Sequence, residues 1–220
     1  MNRNFITLGL FLAASTAAHA QFGLTAGGNF ATLSTKTSGQ SRRASAQGQL
    51  GYQLGLFYEK KIAGRWSGLL GLNYSRQSMN LSVEEYGVAD GGYAGSYRLD
   101  LAYLTLPVLA RAAFGRFYLE AGPQFGVLQT AHEKGTETFG TFGGPWPQDF
   151  DRRATDHYRR LDVGLAAGLG AKLPAGFGLG LRAYTSLLSL TRVPQSVNYA
   201  GSLRNQVVQA SLSYQFTARP

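Results

Sequence analysis

Cysteine is absent from this chain of 220 residues, charged side chains make up only 15% of it, and past the first 20 residues no long apolar run occurs. Without cysteine there is no disulfide framework, no thiol nucleophile and no lipid-modified cysteine behind an export signal. No segment reaches the roughly 18 to 20 apolar residues that a spanning helix needs. No sustained helical periodicity appears beyond the N-terminus, and no linker divides the chain. Acidic residues are scarce as well, 12 against 21 basic ones, which gives a formal charge of +9.

Glycine and aromatic rings are plentiful, with 29 glycines, 12 tyrosines and 13 phenylalanines. That composition suits a β-rich protein with tight turns and amphipathic rings at an interface. The N-terminus carries Arg3, an apolar stretch from Phe5 to Ala14, and small residues at Ala18 and Ala20. This pattern predicts a secretory signal peptide over 1–20, cleaved before Gln21, ahead of one domain over 21–220. In an exported protein the basic excess points to anionic lipid headgroups and not to nucleic acid.

From Phe22 onward, stretches of alternating apolar and small or polar residues are separated by breaks. Eight stretches are predicted as strands: 22–32, 48–60, 66–80, 98–112, 117–130, 160–173, 177–190 and 204–216. A tilted strand needs about nine to eleven residues to cross the hydrocarbon core. The breaks alternate between long (33–47, 81–97, 131–159, 191–203) and short (61–65, 113–116, 174–176). Long loops on one rim, short turns on the other and an even strand count predict an eight-stranded antiparallel transmembrane β-barrel in the bacterial outer membrane, with both termini in the periplasm.

A soluble lipocalin-like barrel shares this rhythm, and the strand faces discriminate between the two. Over 161–172 one face carries Leu161, Val163, Leu165, Ala167, Leu169 and Ala171; the other carries Asp162, Gly164, Ala166, Gly168, Gly170 and Lys172. A water-facing surface needs roughly a quarter to a third charged residues, whereas these charges cluster in the breaks. The parity returns in Leu50, Tyr52, Leu54, Leu56 and Tyr58, and in Leu119, Ala121, Pro123, Phe125 and Val127. Both faces of the fourth strand are largely apolar, so its parity is ambiguous. Tyr58, Trp66, Phe117, Phe177 and Phe216 lie where an aromatic girdle would sit.

The stretches 23–33, 51–62, 103–114, 117–128, 161–173 and 211–216 together resemble the PorT-like outer-membrane β-barrel family, and more broadly OmpX-type eight-stranded barrels. The most specific parts are Tyr103-Leu104-Thr105-Leu106-Pro107, Ala121-Gly122-Pro123 and Asp162-Val163-Gly164. The resemblance implies a fold without assigning an activity. It also implies that Leu212, Tyr214 and Phe216 form the signal read by the barrel-assembly machinery, although four residues, Thr217 to Pro220, follow that phenylalanine. The family's namesake is linked to protein secretion, so an accessory role in a secretion or assembly complex is the alternative.

Residues capable of chemistry are few. His132 and His157 fall in the longest break with Glu133, Glu137, Asp149, Asp151 and Asp156. A metal cluster or a His/Asp pair activating water is conceivable there, but the spacing matches no compact ligand motif, and a solvated polar loop accounts for the same residues. Ser186 and Ser189 sit in no nucleophile motif. The expectation is a non-enzymatic protein with no catalytic, metal or cofactor site and a structural or surface-interaction role; a loop-sited hydrolase is a third reading. Two further features bear on sites. Inward parity places Glu120 and Arg182 inside the barrel, where a lone charge is costly, so they are expected to pair. The long loops also hold Lys36, Arg42, Arg43, Arg152, Arg153, Arg159, Arg160, Arg192 and Arg204. Of these, Arg42, Arg43, Arg152, Arg153, Arg159 and Arg160 are the candidate contacts for lipopolysaccharide phosphates.

Overall fold

The computed structural model describes residues 20–37, 42–85, 92–141, 144–190 and 201–216. The predicted signal peptide lies almost wholly outside the described residues. Nine strands run through them: β1 (Ala20–Thr37), β2 (Arg42–Ala63), β3 (Trp66–Glu85), β4 (Tyr93–Phe114), β5 (Phe117–Thr141), β6 (Gly144–Arg153), β7 (Leu161–Lys172), β8 (Phe177–Ser186) and β9 (Gly201–Gln215). Neighbours pair antiparallel, and β4 bonds to both β3 and β5, so the eight strands other than β6 close into a ring. This is the expected eight-stranded barrel. Closure removes the unpaired sheet edges that would be untenable in lipid.

Two short turns pivot on glycine. Gly64 and Gly115 have φ of 52° and 63°, a left-handed conformation that costs glycine little because it has no Cβ. Within the spanning part, side chains alternate between lipid and lumen. The exposed apolar belt runs from Trp66 to Tyr74 on β3, Leu104 to Phe114 on β4, Phe117 to Val127 on β5, and from Val208 on β9 to Phe216 just past its end. Each stretch matches the roughly nine to eleven residues of one crossing. The lumen side is small or polar because eight strands leave room only for side chains. A Cβ at Gly170, for example, would lie 2.3 Å from the Tyr118 ring.

The strands continue well beyond that belt, which corrects the expected long breaks. Most of 33–47 and 81–97 is strand, and 131–159 is not an irregular loop: β5 continues to Thr141 and pairs antiparallel with β6. One reason lies in a register shift. Tyr103 pairs with Leu128 but Ala102 pairs with Thr130, so β5 carries an extra residue at Gln129. Such a bulge reverses which parity faces inward. Below it Glu120, Gln124 and Leu128 are buried; above it Ala131 and Glu133 are. A similar shift lies between Gln49 and Tyr52 on β2.

Above the belt the interior is largely apolar, with a few buried polar groups such as Glu133 and Asn205. Met79, Leu81, Leu99, Leu101, Leu128 and Leu203 are buried in one cluster, and Ala154 and Tyr158 fold back into it. Main-chain bonds tie this returning segment across the ring: Leu128 N–H to Arg160 O, Arg159 N–H to Leu190 O and Leu190 N–H to Leu203 O, each 2.7 Å.

Candidate functional site

Five ionisable side chains from five strands meet inside the barrel near its short-turn end: Glu59 (β2), Arg111 (β4), Glu120 (β5), Lys172 (β7) and Arg182 (β8). Arg111 bridges the two carboxylates, with Nη1 2.6 Å from Glu59 Oε2 and Nη2 2.8 Å from Glu120 Oε2. Arg182 Nη2 lies 2.7 Å from Glu120 Oε1, and Lys172 Nζ lies 3.2 Å from Glu59 Oε1. The Ser67 hydroxyl donates to Glu59 at 2.8 Å, and the Arg111 guanidinium sits 4.0 Å from the centre of the Tyr118 ring. Each carboxylate therefore touches two cations, the arrangement needed to offset desolvation of buried charge. Beside the cluster a cavity of about 30 Å³, lined in part by Gln53, Asn73, Arg182 and Gln209, has room for roughly two waters.

Glu120 and Arg182 are thus brought together, and Glu59 and Lys172 join the same network. Arg111 at its centre was not singled out in the sequence, because the two apolar faces of β4 left its parity open. The available signal was a lone arginine in an otherwise apolar spanning stretch. Higher in the lumen Asp162 is buried and accepts the Ser186 hydroxyl. Ser186 Oγ also accepts the Leu188 N–H at 3.2 Å, so it is held as a structural hydroxyl and not presented to solvent.

Above the belt, β5 and β6 carry a second set of ion pairs. Arg152 Nε lies 2.9 Å from Glu133 Oε2 and its Nη2 lies 3.0 Å from Glu137 Oε1. The Tyr158 hydroxyl donates to Glu133 Oε1 at 2.7 Å. Burial, then the nearby Tyr97 and Glu133, hold the Tyr158 phenol well above its ordinary range. On the outer face His132 Nε2 and Lys134 Nζ lie 2.6 and 3.0 Å from Asp151. Hydrogen bonds from Lys134 and then His132 hold that carboxyl below its ordinary value. Among the described residues, no three His, Asp or Glu side chains converge as a metal site.

The six candidate lipid-contacting arginines separate. Arg153, Arg159 and Arg160 are exposed, Arg160 3.3 Å from Asp156. Arg152 is exposed as well, and its guanidinium pairs with Glu133 and Glu137. Arg42 and Arg43 pair through the backbone with Glu85 and Glu84. Leu212, Tyr214 and Phe216 all lie on the outer face at the end of β9, where Phe177, Tyr214 and Phe216 form a run of ring contacts at 5.1 and 5.3 Å.

The family model for the outer membrane protein beta-barrel domain matches residues 13–192. The chain belongs to that family. It is an integral protein of the bacterial outer membrane. The barrel is similar to Neisserial surface protein A, with 10% identity, a TM-score of 0.47 and coverage of 90% of this chain and 99% of the other. It is also similar to OprG from Pseudomonas aeruginosa, with 14% identity, a TM-score of 0.46 and coverage of 91% and 98%. Ail of Yersinia pestis, solved in complex with the heparin analogue sucrose octasulfate, is similar at 13% identity, a TM-score of 0.41 and coverage of 90% and 99%. No curated protein matches the chain.

Proposed function

We propose that this barrel is non-enzymatic and that it holds a rigid β-structured surface outside the membrane, with a structural or surface-interaction role and no transport path. The observation that carries the reading is the filling of the interior at two levels. The ionic cluster occupies the lumen within the belt, and the apolar cluster occupies it above. Neither leaves a water-lined path of the kind a porin needs. Ser186 is buried in the lumen and held by Asp162 and Leu188, so it is not presented as a nucleophile.

The exposed Arg153, Arg159 and Arg160, with Arg42 and Arg43, are the cations we assign to lipopolysaccharide phosphates, since guanidinium binds phosphate through charge-assisted hydrogen bonds. Membership of the narrower PorT-like group and recognition of Leu212, Tyr214 and Phe216 by the barrel-assembly machinery belong to the same proposal. They rest on the motifs Tyr103 to Pro107 and the outward aromatic end of β9. Planar-bilayer recording of the folded protein tests the core of the reading: a silent bilayer is expected, and a large, stable conductance would overturn it.

A further inference from the structure

The short-turn rim carries Lys60, Lys61, Arg65 and Arg116, all exposed. No acidic residue occurs in 60–66, 114–117 or 173–177. The carboxylates nearest in sequence, Glu59 and Glu120, are turned into the lumen and already held by Arg111, Lys172 and Arg182. Among the described residues, then, these four cations have no ion-pair partner. Like charges gathered on one rim repel unless something outside the chain neutralises them.

Their placement is built in. Both turns repeat Gly-Arg-aromatic, as Gly64-Arg65-Trp66 and Gly115-Arg116-Phe117. The neighbouring strand braces each arginine's backbone, with Ala113 N–H donating to Arg65 O at 2.9 Å and Lys172 N–H to Arg116 O at 2.7 Å. The Arg65 guanidinium lies 5.0 Å from the Phe114 ring centre and 5.9 Å from that of Trp66. The exposed apolar belt begins immediately beside these cations, at Ile62, Trp66, Phe114 and Phe117. Aromatic rings settle at the headgroup level of a bilayer, so the cations stand where lipid phosphates lie.

We propose that this rim is a binding surface for anionic phospholipid of the periplasmic leaflet, with Lys60, Lys61, Arg65 and Arg116 sharing the headgroup phosphodiesters. Short turns face the periplasm in barrels of this kind, so the ligand belongs to the inner leaflet and not to lipopolysaccharide. An acidic protein fits less well, because the rings flanking Arg65 belong to the belt that lipid covers. A zwitterionic headgroup brings its own ammonium to the phosphate, so a net-negative lipid is favoured. The surface does not depend on what the opposite rim contacts.

The test uses the full folded chain in nanodiscs of equal parts phosphatidylcholine and phosphatidylglycerol, followed by native mass spectrometry of the lipids retained on extraction. Near a surface each Lys or Arg favours an anionic lipid by about 1 kcal/mol, roughly fivefold, so enrichment of phosphatidylglycerol by about tenfold or more is expected. It should fall toward parity in Lys60→Gln/Lys61→Gln/Arg65→Gln/Arg116→Gln and persist in Arg76→Gln/Arg98→Gln, which removes cations on the other side of the belt. Should the fourfold variant fail to fold, Arg65→Gln/Arg116→Gln is expected to lose most of the enrichment alone. No enrichment in the wild type, enrichment retained in the rim variants, or enrichment lost with Arg76 and Arg98 would each overturn the proposal.

Discussion

Replacing Arg111 with methionine removes the hub of the interior cluster while keeping its volume. The side chain is 9% exposed and holds Glu59 and Glu120 at 2.6 and 2.8 Å. Breaking a buried pair typically costs about 3 to 5 kcal/mol. The lower end applies here, because Glu59 keeps Lys172 and Ser67 while Glu120 keeps Arg182. Arg182→Leu leaves Glu120 with Arg111 and removes charged hydrogen bonds that are partly open to water, so about 2 kcal/mol is expected. Leu179→Val trims one methylene from a residue half exposed to lipid; chains can fill that space, and the cost should stay below about 1 kcal/mol. Urea unfolding in vesicles, read from the different migration of unboiled and boiled protein, gives the three midpoints. Equal midpoints for Arg111→Met and Leu179→Val, or a larger loss for Arg182→Leu than for Arg111→Met, would refute the account of the cluster.

Introducing Gln148→Cys into this cysteine-free chain should allow labelling by an impermeant maleimide on intact cells, whereas Arg116→Cys should label only after lysis; the reverse pattern would invert the topology. Tyr93, in the part of β4 beyond the belt, has its phenol pushed up to about 12, first by burial and then by Glu137. Its folded pKa exceeds the unfolded value of about 10, so the neutral phenol's contribution is complete below pH about 10 and is lost as pH rises through about 12. Proteolysis of the 131–160 region should increase over that window in the wild type, and Tyr93→Phe should remove that part of the increase. Mixing lipopolysaccharide with the folded protein should raise the unfolding midpoint, with the rise reduced in Arg153→Gln/Arg159→Gln/Arg160→Gln; an undiminished rise would place the contact elsewhere.

Much of the spanning barrel was legible because lipid enforces a simple rule on the outer face. Leu161, Leu165 and Leu169 had to face hydrocarbon, which turned Asp162 and Lys172 inward and put Glu120 and Arg182 within reach of each other. Arg111 escaped because a strand with apolar residues on both faces gives no parity, and only neighbouring strands show that Leu104, Leu106 and Val108 are the lipid-facing set. The structure of 131–153 escaped for a different reason. The extra residue at Gln129 shifts the parity, so extrapolating from Val127 assigns Ala131 and Glu133 to the wrong side. Beyond the membrane, moreover, the outer face can be charged, and His132, Lys134 and Asp151 disguise a strand pair as a polar loop.

The same strand solves opposite solvent problems at its two ends, and this inversion accounts for where the charges lie. Along β4 the lipid-facing set is Leu104, Leu106 and Val108 while Thr105 and Arg111 face the lumen; further up, Arg98 faces water while Leu99 and Leu101 are buried. Within the belt, apolar side chains already satisfy the exterior and the closed ring pairs the backbone, so polar groups can be accommodated only inside, provided they satisfy one another. Above the belt water returns to the exterior, and the interior can be packed as in a soluble protein. The charge cluster therefore sits toward the short turns, where Lys172 still reaches solvent, and the apolar cluster sits toward the long strands. A porin needs a continuous wet path through both zones, but here each zone is closed by different chemistry. Opening the lumen would require breaking the Glu59–Arg111–Glu120–Arg182 chain and dislodging Tyr158 and its neighbours, two independent costs that favour a barrel acting through its surfaces.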